Sequence, residues 1–151
     1  TIQHGRKTMN DNDDINFPGA RTGTANTSRY KELVESAWSP FVGYRYWHVF
    51  IFSMSYAFSK KLVPKPVSGD QNMPADVFNA HTRNLMRALA IEHTDDLNII
   101  KKSEEYVKIC EGYANVGFQE IYQIISDNDI DKVKPEDLLL NLIKTIVVEQ
   151  D

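Results

Sequence analysis

The chain has 151 residues, 42% apolar and 25% charged, with a formal net charge of −4. That length suits one domain able to bury roughly two thirds of its unfolded surface, so neither metal nor disulfide is needed as a staple. The acidic balance argues against gripping nucleic acid chiefly through phosphates, and the single cysteine, Cys110, excludes an internal disulfide and a cysteine-based zinc site.

Residues 1–26 are polar, with few aliphatics, and read as a leader that is either flexible or held by a partner. The helical domain is expected from residue 27 to 151. Thr27 or Ser28 can cap a first helix, whose apolar face is Tyr30, Leu33, Val34, Ala37 and Trp38 and which Pro40 ends. Val42 to Leu62 is the most apolar segment, with aromatic residues throughout. Its length favours a helix over a strand, and a helix apolar all round belongs at the centre of a fold. The run from Val49 to Phe58 is about half of what a bilayer-spanning helix requires, so no membrane segment is expected. No secretory signal peptide is expected either.

Val63 to Pro74 is a proline-rich loop. Pro74 is placed to open a helix running to His93, with Phe78, His81, Leu85, Ala88 and Leu89 as its apolar face. A short segment spans Asp95 to Lys102. Ser103 is expected to cap a long helix whose inward face includes Tyr106, Ile109, Cys110, Tyr113, Ala114, Gly117, Phe118, Ile121 and Ile125. The small residues Cys110, Ala114 and Gly117 permit close approach of another backbone, while Gly112 and Gly117 are positions where the helix can bend or break. Pro135 opens a last helix with the stripe Leu139, Leu142, Ile143, Ile146 and Val147. The expectation is an all-α fold of five to six helices around a central aromatic one, with no repeat.

Reactive motifs are sparse. The histidines at 4, 48, 81 and 93 form no metal-ligand spacing, and His81 reads as a core or interface residue. No glycine-rich phosphate loop or serine nucleophile motif is present, and no cofactor is expected. Arg87 and His93 (RALAIEH) have the arginine–histidine spacing of the HEPN ribonucleases, where histidine moves protons and arginine steadies phosphorane charge. Six arginines and four histidines make such a spacing common by chance, and Ala88 stands where those enzymes usually carry a polar residue. Lys60, Lys61 and Lys65, with Arg83 and Arg87 beside them, form a candidate surface for a phosphate or an acidic partner; a solvated helix end explains the lysines equally. Phe41, Tyr44, Tyr46 and Trp47 read as core, with part of the group free to serve as an interface.

Three stretches, VFIFSMSYAF (Val49 to Phe58), RALAIEHTDDLNII (Arg87 to Ile100) and EEYVKICEGYANVGFQEI (Glu104 to Ile121), in that order resemble small helical proteins found with bacterial DNA-phosphorothioation and related anti-phage defence genes. The resemblance covers roughly residues 29–126 and departs where Val116-Gly117 replaces a glycine pair. It implies a non-enzymatic accessory subunit beside larger DNA-processing proteins and transfers no catalytic residue. The leading expectation is therefore a cytoplasmic adaptor that binds another protein subunit, with homodimerisation open. The alternatives are a HEPN-like ribonuclease using Arg87 and His93, and a DNA-binding module using the lysines.

Overall fold

The computed structural model describes residues 16–149, with side chains described to residue 146. Five α-helices appear: α1 (Thr27–Glu35), α2 (Tyr46–Ser59), α3 (Ala80–Thr94), α4 (Ser103–Asp127) and α5 (Pro135–Glu149), with 3-10 turns at Ala75–Val77 and Leu97–Lys101. Among the described residues there is no strand, only an isolated bridge between Ala20 and Met73. The fold is all-α, and none of its described helices is long and apolar enough to cross a membrane.

The most extensive packing is between α2 and α4. α2 buries Val49, Phe50, Ser53, Met54, Tyr56 and Ala57, and α4 meets it with Cys110, Ala114, Gly117, Phe118 and Ile121. Gly117 is the tightest point: a Cβ placed there would come within 2.0 Å of the Ser53 carbonyl oxygen and 3.0 Å of the Ala57 Cβ. No side chain fits, so glycine sets how closely the two backbones approach. Tyr30 of α1 stacks on Phe118 with ring centroids 4.1 Å apart and closes the same seam from above.

Several boundaries differ from the expectation. α2 begins at Tyr46 rather than Val42, because residues 36–45 turn back on themselves, with the Gly43 N–H donating to Val34 O at 3.0 Å. The helix expected from Pro74 is broken at Phe78 and Asn79, whose extended backbone separates the 3-10 turn from α3. Asn79 then caps α3 by accepting from the Thr82 N–H at 2.9 Å. Phe78 therefore lies outside α3, and counting its period from there set the face wrongly. Thr82, Arg83, Met86, Leu89 and Ala90 are buried, while His81, Leu85 and Ala88 are exposed. α4 runs unbroken through Gly112 and Gly117. Ser103 does not cap it; its hydroxyl donates to Asn16 O at 2.9 Å.

The described part of the leader packs on the protein itself. Phe17 and Ala20 are buried in the core, and Phe17 lies against Phe78 and Tyr106, with centroids 5.6 and 6.1 Å away. The acidic run Asn10 to Asp14 falls outside the described residues.

Because the α2–α4 approach has no room for a methyl group, Gly117→Ala is expected to destabilise the fold by about 3 kcal/mol. Gly112→Ala meets only the edge of Pro64, at 3.0 Å, and should cost clearly less. Urea unfolding of both variants checks the order.

Candidate functional site

Part of the third stretch that carries the resemblance, Glu111 to Gly117, is a natural place to look for chemistry. Each of its polar groups is already engaged within the molecule. The Glu111 carboxylate is buried and accepts from the Arg21 N–H at 2.7 Å and its guanidinium at 3.4 Å. Burial raises its pKa, against the opposing pull of Arg21 and Lys108. The Gly112 carbonyl accepts from the Lys65 N–H at 3.2 Å. Asn115 accepts from the Asn26 amide at 2.8 Å and donates to Lys65 O at 3.0 Å. With the Thr22–Asn72 bonds of 3.0 and 2.7 Å, these contacts tie residues 20–26 and the 62–74 loop to α4. The stretch fastens segments together and leaves no reactive group pointing outward.

The Arg87–His93 pair fares similarly. Six residues on one helix place the two about 120° apart around the axis of α3. Arg87 donates to Asn84 Oδ1 at 2.8 Å and lies 5.8 Å from the Tyr106 ring centre. Exposed His93 bonds through Nδ1 to the Tyr113 hydroxyl at 2.8 Å. Their tyrosine neighbours are two turns apart on α4, about 10 Å along the axis. Within one chain the two face separate surroundings.

The basic group is also divided. Lys60, Lys61 and Lys65 follow the C-terminus of α2, with Lys61 and Lys65 exposed and the Lys60 ammonium 5.4 Å from the Tyr56 ring centre. Arg83 is buried beneath the leader, donating to Ala75 O at 2.7 Å with its guanidinium 4.3 Å from the Phe17 ring centre. Phe17 contacts Phe78, which contacts Phe50 of α2, 5.9 Å between centroids. Arg83 is thus packed inside the molecule, while Lys61 and Lys65 stand on its surface. Among the described residues no group of three His, Cys, Asp or Glu side chains could hold a metal.

What does stand open is a cleft of about 380 Å³ at the start of α2. Tyr44, Arg45, Tyr46 and Trp47 form one wall, and Asn72, Met73, Pro74 and Val77 the other. Tyr44 is 46% exposed, and among the described residues Arg45 is the only charged one lining the cleft. His48 locks the wall from behind. Its Nδ1 accepts from the Arg45 N–H at 3.0 Å while its own N–H donates to Arg45 O at 3.1 Å. Its ring stacks on Trp47 at 3.8 Å and meets Tyr44 edge-on at 5.3 Å. Burial, then the Arg45 charge, lower the His48 pKa, which suits a ring that must stay neutral to accept.

A family profile described as DNA sulphur modification system-associated protein 4 matches residues 23–150. The chain belongs to this family. Comparisons with curated proteins and with solved structures found no match. The three stretches that carried the resemblance all fall within the matched span, and so do both walls of the cleft.

Tyr44, Tyr46 and Trp47 read from the sequence as core with part of the group free to serve as an interface, and the structure leaves Tyr44 exposed and the other two half-buried; the opposite wall was not anticipated. Asn72 and Met73 read as the end of a loop and Pro74 to Val77 as the start of a helix, and the bridge from Ala20 to Met73, with the Thr22–Asn72 bonds, fixes this segment against the leader. The Arg21–Glu111 pair was missed as well. Its sequence signal is an acid set in the small-residue seam of α4, with Arg21 in a leader short of core residues.

The His48 bond implies a pH dependence. The fold favours the neutral ring, so the unfolded chain takes up the proton first, and stability falls as pH drops through about 6.5. We expect the His48 ring to titrate below that value by NMR, and the urea midpoint to fall between neutral pH and pH near 5.5, less so in His48→Gln. A ring titrating at or above the ordinary histidine value contradicts this.

Proposed function

We propose that this protein is a non-catalytic accessory subunit of a bacterial, cytoplasmic DNA sulphur modification complex and its anti-phage defence role, and that it acts by docking another protein subunit of that system. The observation that carries the proposal is the aromatic cleft. It is an open concave surface walled by tyrosine and tryptophan, residues that bury large area on association at little entropic cost. The candidate reactive side chains elsewhere are engaged in contacts within the chain, which supports a binding role over a chemical one. Arg45 at the rim of an otherwise acidic protein suits a partner segment that offers an apolar side chain with a carboxylate next to it.

The test is co-purification of the tagged protein with the modification proteins of its own system, identified by mass spectrometry. Tyr44→Ala and Arg45→Glu are each expected to lower capture at least tenfold, since truncation of central aromatic or charged contacts commonly costs 2 kcal/mol or more. Lys61→Glu, about 20 Å away past the far end of α2, should leave capture unchanged. Wild-type levels in both cleft variants, or no modification protein captured by the wild type, would overturn the reading.

A further inference from the structure

α5 turns Leu138 and Leu142 into the core, with Leu139 and Ile146 partly covered beside them. Its outer side is not the polar surface that such packing predicts. Leu140 is 53% exposed and Ile143, expected in the core stripe, is 40% exposed. At 100° per residue, Glu136, Leu140, Ile143 and Lys144 all project away from the buried side. Leu138-Leu139-Leu140 supplies apolar residues to both sides, so periodicity alone leaves the inward stripe ambiguous. The outer apolar strip continues across a groove of about 440 Å³ to Val42, which is 45% exposed.

The charges on this outer side have a pattern. Lys144 is the only basic residue of α5, and Glu136 and Asp137 are the acids of its first turn. Glu136 and Lys144 stand four residues either side of Leu140. We propose that a second copy of this chain docks on α5, the two helices antiparallel about a twofold axis at Leu140, with Glu136 of each copy facing Lys144 of the other.

Antiparallel pairing about Leu140 meets every requirement of the surface. Leu140 packs on its own copy, and Ile143 reaches the first turn of the facing helix. Each Lys144 ammonium meets the Glu136–Asp137 end of its partner, and the two helix dipoles oppose head to tail. A parallel pair would instead set Glu136 against Glu136 and Lys144 against Lys144. The contact is self-complementary in shape and in charge, as a twofold interface must be. α5 is about 22 Å long, which sets a modest interface and a dissociation constant on the order of micromolar. The proposal needs no other subunit, and its centre at Leu140 is not part of the aromatic cleft, although Tyr44 lines both that cleft and the groove beside α5.

Sedimentation velocity of the purified full chain at low salt, from about 1 to 200 µM, brackets that constant. The wild type should pass from monomer to dimer across the range. Lys144→Glu and Glu136→Lys alone each create two like-charge pairs per dimer and should raise the dissociation constant at least tenfold. The double variant restores opposite charges in reversed order and should return to within about threefold of wild type. Leu140→Gln, at an exposed position where folding asks little of the side chain, should also weaken the dimer at least tenfold. Circular dichroism and unfolding midpoints establish that each variant is folded. A wild type monomeric throughout, a double variant as dissociated as the singles, or a dimer indifferent to Leu140→Gln each overturns the proposal.

Discussion

The meeting of two backbones at Gly117 and Ser53 is the constraint on which the remainder of this molecule depends. α2 is apolar on nearly every side and must be enclosed, and α4, the longest of the described helices, packs on it most extensively. With the Ser53 carbonyl where a Cβ would sit, the two axes are drawn together until Met54, Tyr56 and Ala57 are fully covered. Burial of that quality is what gives a chain of this size its stability, since packing loses energy steeply with even a small gap. Tyr30, Phe78 and Phe118 then find their places as consequences of where α2 and α4 lie.

Around this apolar axis runs a second system, made of hydrogen bonds instead of area. Asn26, Asn72, Asn115, Thr22, Arg21 and Glu111 belong to three segments remote in sequence, and their bonds join the leader and the long loop to the outer side of α4. Such a network is costly when half satisfied and specific when complete. It also accounts for why Glu111 and Asn115 offer no chemistry at the surface: they hold two otherwise loose segments against a helix. What the family match adds is the setting, a DNA sulphur modification system.

The helical class, the central aromatic helix and the inward face of α4 were legible because each follows from a short-range pattern: unbroken apolarity in α2, and small and large residues at helical spacing in α4. The places where reading failed share one cause. Phe78 looks like the first apolar residue of α3, but the extended backbone at Phe78 and Asn79 shifts the count, and the face around His81 and Leu85 turns outward. Ile143 belongs to an apolar series dense enough to fit two stripes. Arg83 looked like part of a basic surface, yet the leader folds over it and pairs it with the Phe17 ring. Each depends on partners 60 or more residues away or on a break in periodicity, and neither appears in a local window. The candidate site is half legible for the same reason. Its aromatic wall is one local run, while its other wall is set by bonds to residues about 50 positions away, among them the Ala20–Met73 bridge and the Thr22–Asn72 pair.

The Arg21–Glu111 pair spans 90 positions, and the Asn26–Asn115 pair 89. During synthesis the residues that receive the leader therefore emerge long after the leader itself. At about 5–20 residues per second that interval is roughly 5 to 20 seconds, with Phe17 and the early aromatic residues of α2 waiting uncovered. Closure of this loop is a late event, paid for only once α4 exists to accept it. The fastening of the leader thus waits on α4, and until α4 is made the apolar residues that it will cover stay exposed on the nascent chain.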